Sequence, residues 1–180
     1  MSQEYDIAVE GRAYLLRPDT PKEGLMRQPR AGETEDELSE PLRSNARESN
    51  LIMRPPRVTP NTNYILEATE YAQQQGKFLD FHHAAYKAYW EDREDLGDLT
   101  VIQGLARAVS LDADELMERL ANHHYSETVM GQYQEALKYG IQGIPTFLVG
   151  NLIFTGAHPY EIFKSAMTKV LEGESENPTS

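Results

Sequence analysis

Apolar and polar positions alternate along residues 5–16, YDIAVEGRAYLL. A period of two residues is typical of a β-strand that buries one face. The predicted inner face is apolar or small and the outer face is charged: Ile7, Val9, Gly11, Ala13 and Leu15 against Asp6, Glu10 and Arg12. We therefore predict a strand at 5–16, followed by a loop at 17–32, where three prolines and two glycines break the alternation.

Residues 34–50 carry a weaker helical pattern. Leu38, Leu42 and Ala46 recur four residues apart, but Pro41 interrupts the stretch, because proline lacks the N–H that a helix interior needs. Residues 53–61, MRPPRVTPN, predict an extended linker.

From Asn61 the period changes to three and four residues and stays so through residue 139, which predicts a run of helices. The first helix can begin at Asn61 or Thr62, whose side chains are suited to cap a helix start. Later helices can begin at Asp98, at Asp112 or Ser110, and at Ser126. The predicted helices lie in the stretches NYILEATEYAQQQG, FLDFHHAAYKAYW, LTVIQGLARAVS, ADELMERLANHH and ETVMGQYQEALKYG.

Pro145 introduces a different pattern. The stretches TFLVG and LIFTG read as two short strands, and the Gly150-Asn151 dipeptide between them is suited to a tight hairpin turn. Proline fits the first residue of a strand because it cannot donate to the ladder. Pro159 then begins a last helix, YEIFKSAMTKVLEG.

This order of elements predicts an α/β chain with a thioredoxin-like fold, incomplete at the N-terminus, that carries an inserted all-helical subdomain. The thioredoxin-like core is predicted at residues 1–60 and 140–172 and the helical insertion at 61–139. A disordered tail is predicted at 173–180.

The charge composition restricts the classes of partner that the chain is expected to bind. The net charge is −12 and the pI about 4.8, which argues against nucleic acid or an anionic membrane surface, since both attract basic patches. The sequence has no run of 18 apolar residues and no secretory signal pattern at its start. We therefore expect a cytoplasmic protein without a membrane span.

Three stretches carry a resemblance to a known family. GIQGIPTFLVGNLIFTGAHPYEIFKSAM resembles the C-terminal half of DsbA-like thioredoxin-fold oxidoreductases, and GAHPYEIF is most similar to their FrnE branch. EGRAYLLRPDTPKEG resembles that branch's second strand and the loop after it. PPRVTPNTNYILEATEYAQQQGKFLDFHHAAYKAYWEDREDLGD resembles the entry to its helical insertion. The resemblance covers about residues 5–171.

The resemblance implies thiol-disulfide exchange, in which a thiolate at a helix N-terminus attacks a disulfide. It also implies that Pro145 follows a cis peptide bond, which lets Ile144 offer its N–H and C=O to an extended polypeptide or thiol substrate. The substrate-binding residues implied by the resemblance are Gly143, Ile144, Pro145 and Thr146.

The sequence departs from the family pattern at the family's Cys-x-x-Cys segment. Only MSQE precedes residue 5, and the 180 residues contain no cysteine. We expect no catalytic residue and no dithiol exchange from this chain as written. Two explanations stay open: a shortened version of a longer oxidoreductase or isomerase, or a cysteine-free member that completes its sheet by forming a homodimer or by rearranging.

Other functions compete with this interpretation. A related branch, which includes 2-hydroxychromene-2-carboxylate isomerase, binds glutathione on the same fold, although GAHPYEIF does not resemble its segment after the hairpin. A non-enzymatic binding or interaction module that keeps the cis-proline groove is a third possibility. No cofactor is expected. No metal site is expected either, because the adjacent pairs His82-His83 and His123-His124 point about 100° apart on a helix.

Overall fold

The computed structural model of the protein describes residues 4–176, with side chains up to residue 173. It is mostly helical and its strands are short. The elements in chain order are β1 (Leu25–Met26), α1 (Leu42–Glu48), β2 (Val58–Thr59), α2 (Asn63–Gln74), α3 (Phe78–Lys87), a π-helical turn (Ala88–Asp92), α4 (Leu99–Ala108), α5 (Ala113–Ala121), α6 (Ser126–Lys138), β3 (Thr146–Val149), β4 (Leu152–Thr155) and α7 (Tyr160–Glu176).

Residue contacts divide the chain into two compact units. The helical unit is Arg17–Gly131, and the terminal unit comprises the residues up to Leu16 together with those from Gln132 onward. Residues 17–60 thus group with helices α2 to α5 by their contacts, and the division at residues 60 and 61 stays a prediction. α7 continues to Glu176, residues 177–180 lie outside the described residues, and the disordered tail at 173–180 stays a prediction.

The core of the helical unit lies among α2, α3, α4 and α5. Its largest fully buried side chains come from these helices and from the residue before α6: Tyr71, Phe81, Ile102, Leu116, Leu120 and Tyr125. Phe81, Ile102, Leu116 and Leu120 are apolar residues of the predicted helical stretches, and burying each such aliphatic or phenyl side chain contributes about 1.5–3 kcal/mol. The hydrophobic period therefore determines which face of each helix is inside.

The helix starts follow the sequence closely. The Asp98 carboxylate accepts from Thr100 N at the start of α4. The Asp112 carboxylate accepts from Asp114 N and Glu115 N at the start of α5. Each aspartate satisfies amide groups that have no partner inside the first turn.

Residues 17–60 form only short regular elements. β1 and β2 pair antiparallel over two residues each, with Leu25 opposite Thr59. The helix predicted over 34–50 begins at Leu42, directly after Pro41, because proline is tolerated at a helix start and not inside it.

The hairpin of the terminal unit matches the predicted segments. β3 and β4 pair antiparallel with Val149 opposite Leu152, and Gly150 in the turn has φ +59°. Phe147 and Phe154 lie opposite each other, and both rings meet Phe163 of α7 edge-on at 4.8 and 5.2 Å between centroids. This aromatic cluster, Phe147, Phe154 and Phe163, packs the hairpin against α7.

The strand predicted at 5–16 is wrong. The described part of this segment, from residue 4, has no strand, and its backbone meets α6 instead: Ala13 N donates to Gln132 Oε1, and Arg12 pairs with Glu135. Part of the alternation survives in burial, since Ala13 and Leu15 are buried, but Val9 is exposed. A strand forms only where its backbone N–H and C=O groups can bond to a neighbouring strand. The described strands pair only with each other, as β1–β2 and β3–β4, so residues 5–16 have no strand beside them. Each sheet within residues 4–176 therefore has two strands.

Candidate functional site

The candidate site is the loop between α6 and β3, residues 139–145. Gly140 ends α6 with φ +73°, and its N–H donates to Leu137 O at 3.0 Å. Ile141 N donates to Ala136 O at 3.0 Å, which closes the last turn in the way glycine-terminated helices commonly do. The Tyr14 hydroxyl donates to Ile141 O at 3.3 Å and connects the loop to the N-terminal segment.

Hydrogen bonds fix the conformation of the segment from Gly143 through Thr146. The Thr146 hydroxyl donates to Gly143 O at 2.7 Å and also lies 2.8 Å from the Thr155 hydroxyl. A hydroxyl has one proton, so Thr155 donates in the second bond. The Ile144–Pro145 peptide bond is cis, and Pro145 O accepts from Gly156 N at 2.8 Å. Two hydrogen bonds, one accepted by Pro145 O and one by the Thr146 hydroxyl, therefore connect the end of the loop to β4 and the residue after it.

The outer edge of β3 is free of a strand partner in the described residues. Bonded and non-bonded pairs alternate along an antiparallel hairpin, and the Gly156 to Pro145 bond fixes which pairs are bonded. By that alternation the backbone N–H and C=O groups of Thr146 and Leu148 point away from β4. They form a short row of donors and acceptors beside the loop.

Exposed apolar side chains accompany this edge. The exposed fractions are 49% for Ile144, 63% for Leu148 and 44% for Ile153. Leu148 and Ile153 are direct cross-strand neighbours, so they form one apolar surface on the hairpin. This face is opposite the one that carries Phe147 and Phe154, because successive strand residues point to opposite faces.

The four residues implied by the resemblance are thus adjacent in the structure, and three further residues belong beside them. Thr155, Leu148 and Ile153 were not singled out by the sequence pattern. The hairpin register could have identified Thr155 and Ile153, since a two-residue turn at Gly150-Asn151 places them opposite Thr146 and Leu148.

In the terminal unit, a hydrogen bond joins the ionisable side chains of Glu4 and Tyr160. Glu4 accepts from the Tyr160 hydroxyl at 2.8 Å, and this hydrogen bond raises the pKa of Tyr160 to about 12. The same bond, followed by one from Lys164, lowers the pKa of Glu4. His158 Nε2 donates to Thr155 O at 3.0 Å. Tyr160 stays protonated at neutral pH and Glu4 stays ionised, so their hydrogen bond persists.

The histidine pairs do not form a metal centre in the described part of the chain, where no three His, Cys, Asp or Glu side chains come together to hold an ion. His82 packs against Phe78 and Tyr86, with ring centroids 5.4 and 4.4 Å away. Burial, and then the charge of His83, lowers the pKa of His82. Within residues 4–176, no helix is both long and apolar enough to cross a membrane.

Known proteins share this architecture. The family described as DSBA-like thioredoxin domain matches residues 1–168. The uncharacterized protein YwbO of Bacillus subtilis is 23% identical over 91% of this chain and 82% of its own length. These matches confirm the predicted resemblance to DsbA-like proteins, whereas the FrnE branch stays a prediction.

Two solved structures are similar in fold. The crystal structure of a probable DsbA oxidoreductase from Streptomyces coelicolor has a TM-score of 0.75 at 24% identity, covering 89% of this chain and 74% of that one. A 2-hydroxychromene-2-carboxylate isomerase has a TM-score of 0.66 at 14% identity, covering 77% of this chain and 68% of the isomerase.

Proposed function

This chain belongs to the DSBA-like thioredoxin domain family, and from that membership we propose that it binds an extended polypeptide along the loop Gly143–Thr146 and the outer edge of β3. The proposed function of these 180 residues is binding without dithiol exchange. The observation that carries it is the row of outward backbone groups on Thr146 and Leu148 beside an immobilised loop.

The proposed mode is strand addition. An extended peptide that lies along β3 exchanges backbone hydrogen bonds with Thr146 and Leu148, which supplies affinity that depends little on sequence. Every second side chain of the peptide then points to the face of the hairpin that carries Leu148, and Leu148 is the exposed apolar side chain next to it. Ile153, on β4, lies one strand further from the peptide. Preferred peptides therefore carry apolar residues at alternate positions.

The loop is suited to this role because its conformation is already set. The hydrogen bonds of Thr146 and Pro145 fix the backbone at the start of β3 before any peptide arrives. A preorganised edge loses less conformational freedom on binding than a mobile one.

The absence of cysteine in the sequence separates binding from redox chemistry. Thiol-disulfide exchange begins with attack of a thiolate, and none of the 180 residues supplies one. A disulfide in the bound polypeptide is therefore left intact unless a thiol from another molecule attacks it. In insulin reduction and scrambled ribonuclease assays, this chain is expected to give the rate of the buffer alone.

The test compares two proline variants on opposite edges of the hairpin. Leu148→Pro removes an outward N–H of β3, and Ile153→Pro removes an outward N–H of β4, so both leave the bonds between the strands in place. Fluorescence anisotropy with a labelled peptide carrying valine at alternate positions is expected to show about tenfold weaker binding for Leu148→Pro, the loss of about one backbone hydrogen bond. Ile153→Pro is expected to bind within about twofold of the unchanged chain.

Equal losses in the two variants, or no binding by the unchanged chain, would contradict the proposal. A measurement without variants covers the case in which proline unfolds the hairpin: the peptide should slow hydrogen exchange at the amides of Thr146 and Leu148. A second copy of this chain is the competing occupant of the edge. Light scattering that shows a dimer, together with exchange protection at Leu148 without peptide, would favour that copy over a peptide.

A further inference from the structure

The helical unit contains a cavity of about 170 Å³ that the peptide-binding proposal does not use. It lies where α2 meets the start of α6, and Lys22 also lines it. Its volume is below the roughly 300–1,000 Å³ of sites for drug-sized ligands, so it suits a molecule of few heavy atoms. Its walls combine charged, aromatic and apolar groups, which is how small-molecule sites are built.

Glu67 gives the cavity a buried negative charge. Its side chain is 3% exposed. Among the described residues, Tyr125 N donates to Glu67 Oε2 at 3.2 Å, and His123 Nδ1 lies 3.5 Å from Glu67 Oε1. A carboxylate offers about four acceptor positions, and burying it is costly unless they are used. Glu67 therefore has acceptor capacity left on a cavity wall.

Lys22 gives the cavity a positive charge. Its side chain is exposed, and it forms no ion pair with any residue the structure describes. Asn61, another lining residue, is already occupied: its amide donates to Thr20 O at 2.7 Å and accepts from Asn63 N at 3.1 Å. The charged groups left for a ligand are thus one carboxylate and one ammonium.

The remaining walls are aromatic and apolar. The rings of Tyr64 and His123 are parallel within 8°, with centroids 5.9 Å apart. Val129 and Met130, on the first turns of α6, also line the cavity. This wall suits a short aliphatic side chain.

We propose that this cavity binds a free α-amino acid with an aliphatic side chain, whose ammonium pairs with Glu67, whose carboxylate pairs with Lys22 and whose side chain contacts Val129 and Met130. A simple amine fits less well, because the charge of Lys22 repels it. A metal ion fits less well too, because the described residues bring no three metal-ligating side chains together here. The proposal does not depend on the peptide-binding function.

The test titrates the full chain with L-leucine and with two analogues that each lack one charge. Leucinamide keeps the ammonium without the carboxylate, and 4-methylpentanoate keeps the carboxylate without the ammonium. Calorimetry and the NMR signal of the Met130 methyl group are the readouts. L-leucine is expected to bind and shift this signal, and both analogues are expected to bind at least tenfold more weakly, a loss of one charge pair.

Two variants assign the charges. Glu67→Gln keeps an oxygen that accepts from Tyr125 N and should weaken L-leucine binding at least tenfold, whereas Glu70→Gln, buried on the same helix outside the cavity, should not. Lys22→Met should weaken L-leucine binding but not leucinamide binding, with Lys138→Met as control.

Three results would overturn the proposal: no binding of L-leucine up to about 10 mM, analogue binding as tight as that of L-leucine, or full binding by Glu67→Gln. Measuring peptide binding to Glu67→Gln by fluorescence anisotropy tests the amino-acid proposal separately from the peptide-binding proposal. That variant should bind the labelled peptide as the unchanged chain does, whichever way the leucine titration ends.

Discussion

Replacing Gly150 by alanine tests how the hairpin turn meets α7. Gly150 has φ +59°, and a Cβ built there would lie 2.7 Å from Val170 Cγ2 and 3.1 Å from Val170 Cγ1. The left-handed backbone costs an alanine about 1–2 kcal/mol. The overlap costs about 1–3 kcal/mol more, because both methyl groups of a stiff β-branched side chain are close and rotation does not remove the contact.

Gly150→Ala is therefore expected to lower the free energy of unfolding by about 2–5 kcal/mol. Urea unfolding followed by circular dichroism measures this quantity. The matched control is Gly131→Ala in α6, where the added Cβ would meet nothing within 4 Å. That control is expected to gain about 0.5–1 kcal/mol, since alanine is the better helix former.

The Val170→Ala background separates the two costs. Removing the valine methyl groups relieves the overlap and leaves the backbone cost, so Gly150→Ala should then cost about 1–2 kcal/mol. The same cost in both backgrounds, or a cost below about 1 kcal/mol in the unchanged chain, would refute the close approach of the turn to α7.

Two further predictions concern hydrogen bonds and pH. Thr146→Val removes both hydroxyl bonds of the loop and should lower the free energy of unfolding by about 1–3 kcal/mol, whereas Thr168→Val on the exposed face of α7 should change it by less than about 0.5 kcal/mol in urea unfolding. Burial, and then the hydrogen bond to Glu115, raises the pKa of Tyr71 from 10.0 to about 12. Because this pKa is raised in the folded state, the neutral Tyr71 hydroxyl stabilises the fold below pH 10, and that contribution is lost as the pH rises toward 12. Thermal melts of Tyr71→Phe should therefore show a smaller drop in melting temperature over this pH range than melts of the unchanged chain. An equal drop would count against this assignment.

The hairpin and the helix starts could be predicted because their causes are local. Gly150-Asn151 sets the turn, the apolar runs on either side set the strands, and Asp98 and Asp112 bond amides two or three residues away. Each of these signals lies within a few positions along the chain, so periodicity and turn chemistry are sufficient.

The rest depends on partners distant in sequence. The segment 5–16 has the alternation of a strand, but strand formation requires a neighbour, and α6 occupies that place through Gln132 and Glu135. The cavity is equally non-local. The stripe of α2 does not show that Glu67 is buried, because its partner Tyr125 N comes from 58 residues further along.

The shortness of β3 sets a limit on self-association. Four residues at about 3.3 Å each span roughly 13 Å, and Pro145 at one end and the turn at the other prevent the ladder from lengthening. Stacked cross-β assemblies are built from segments of about six or seven residues. An open edge of this length is too short to build a fibril by stacking, although its apolar residues are exposed to water.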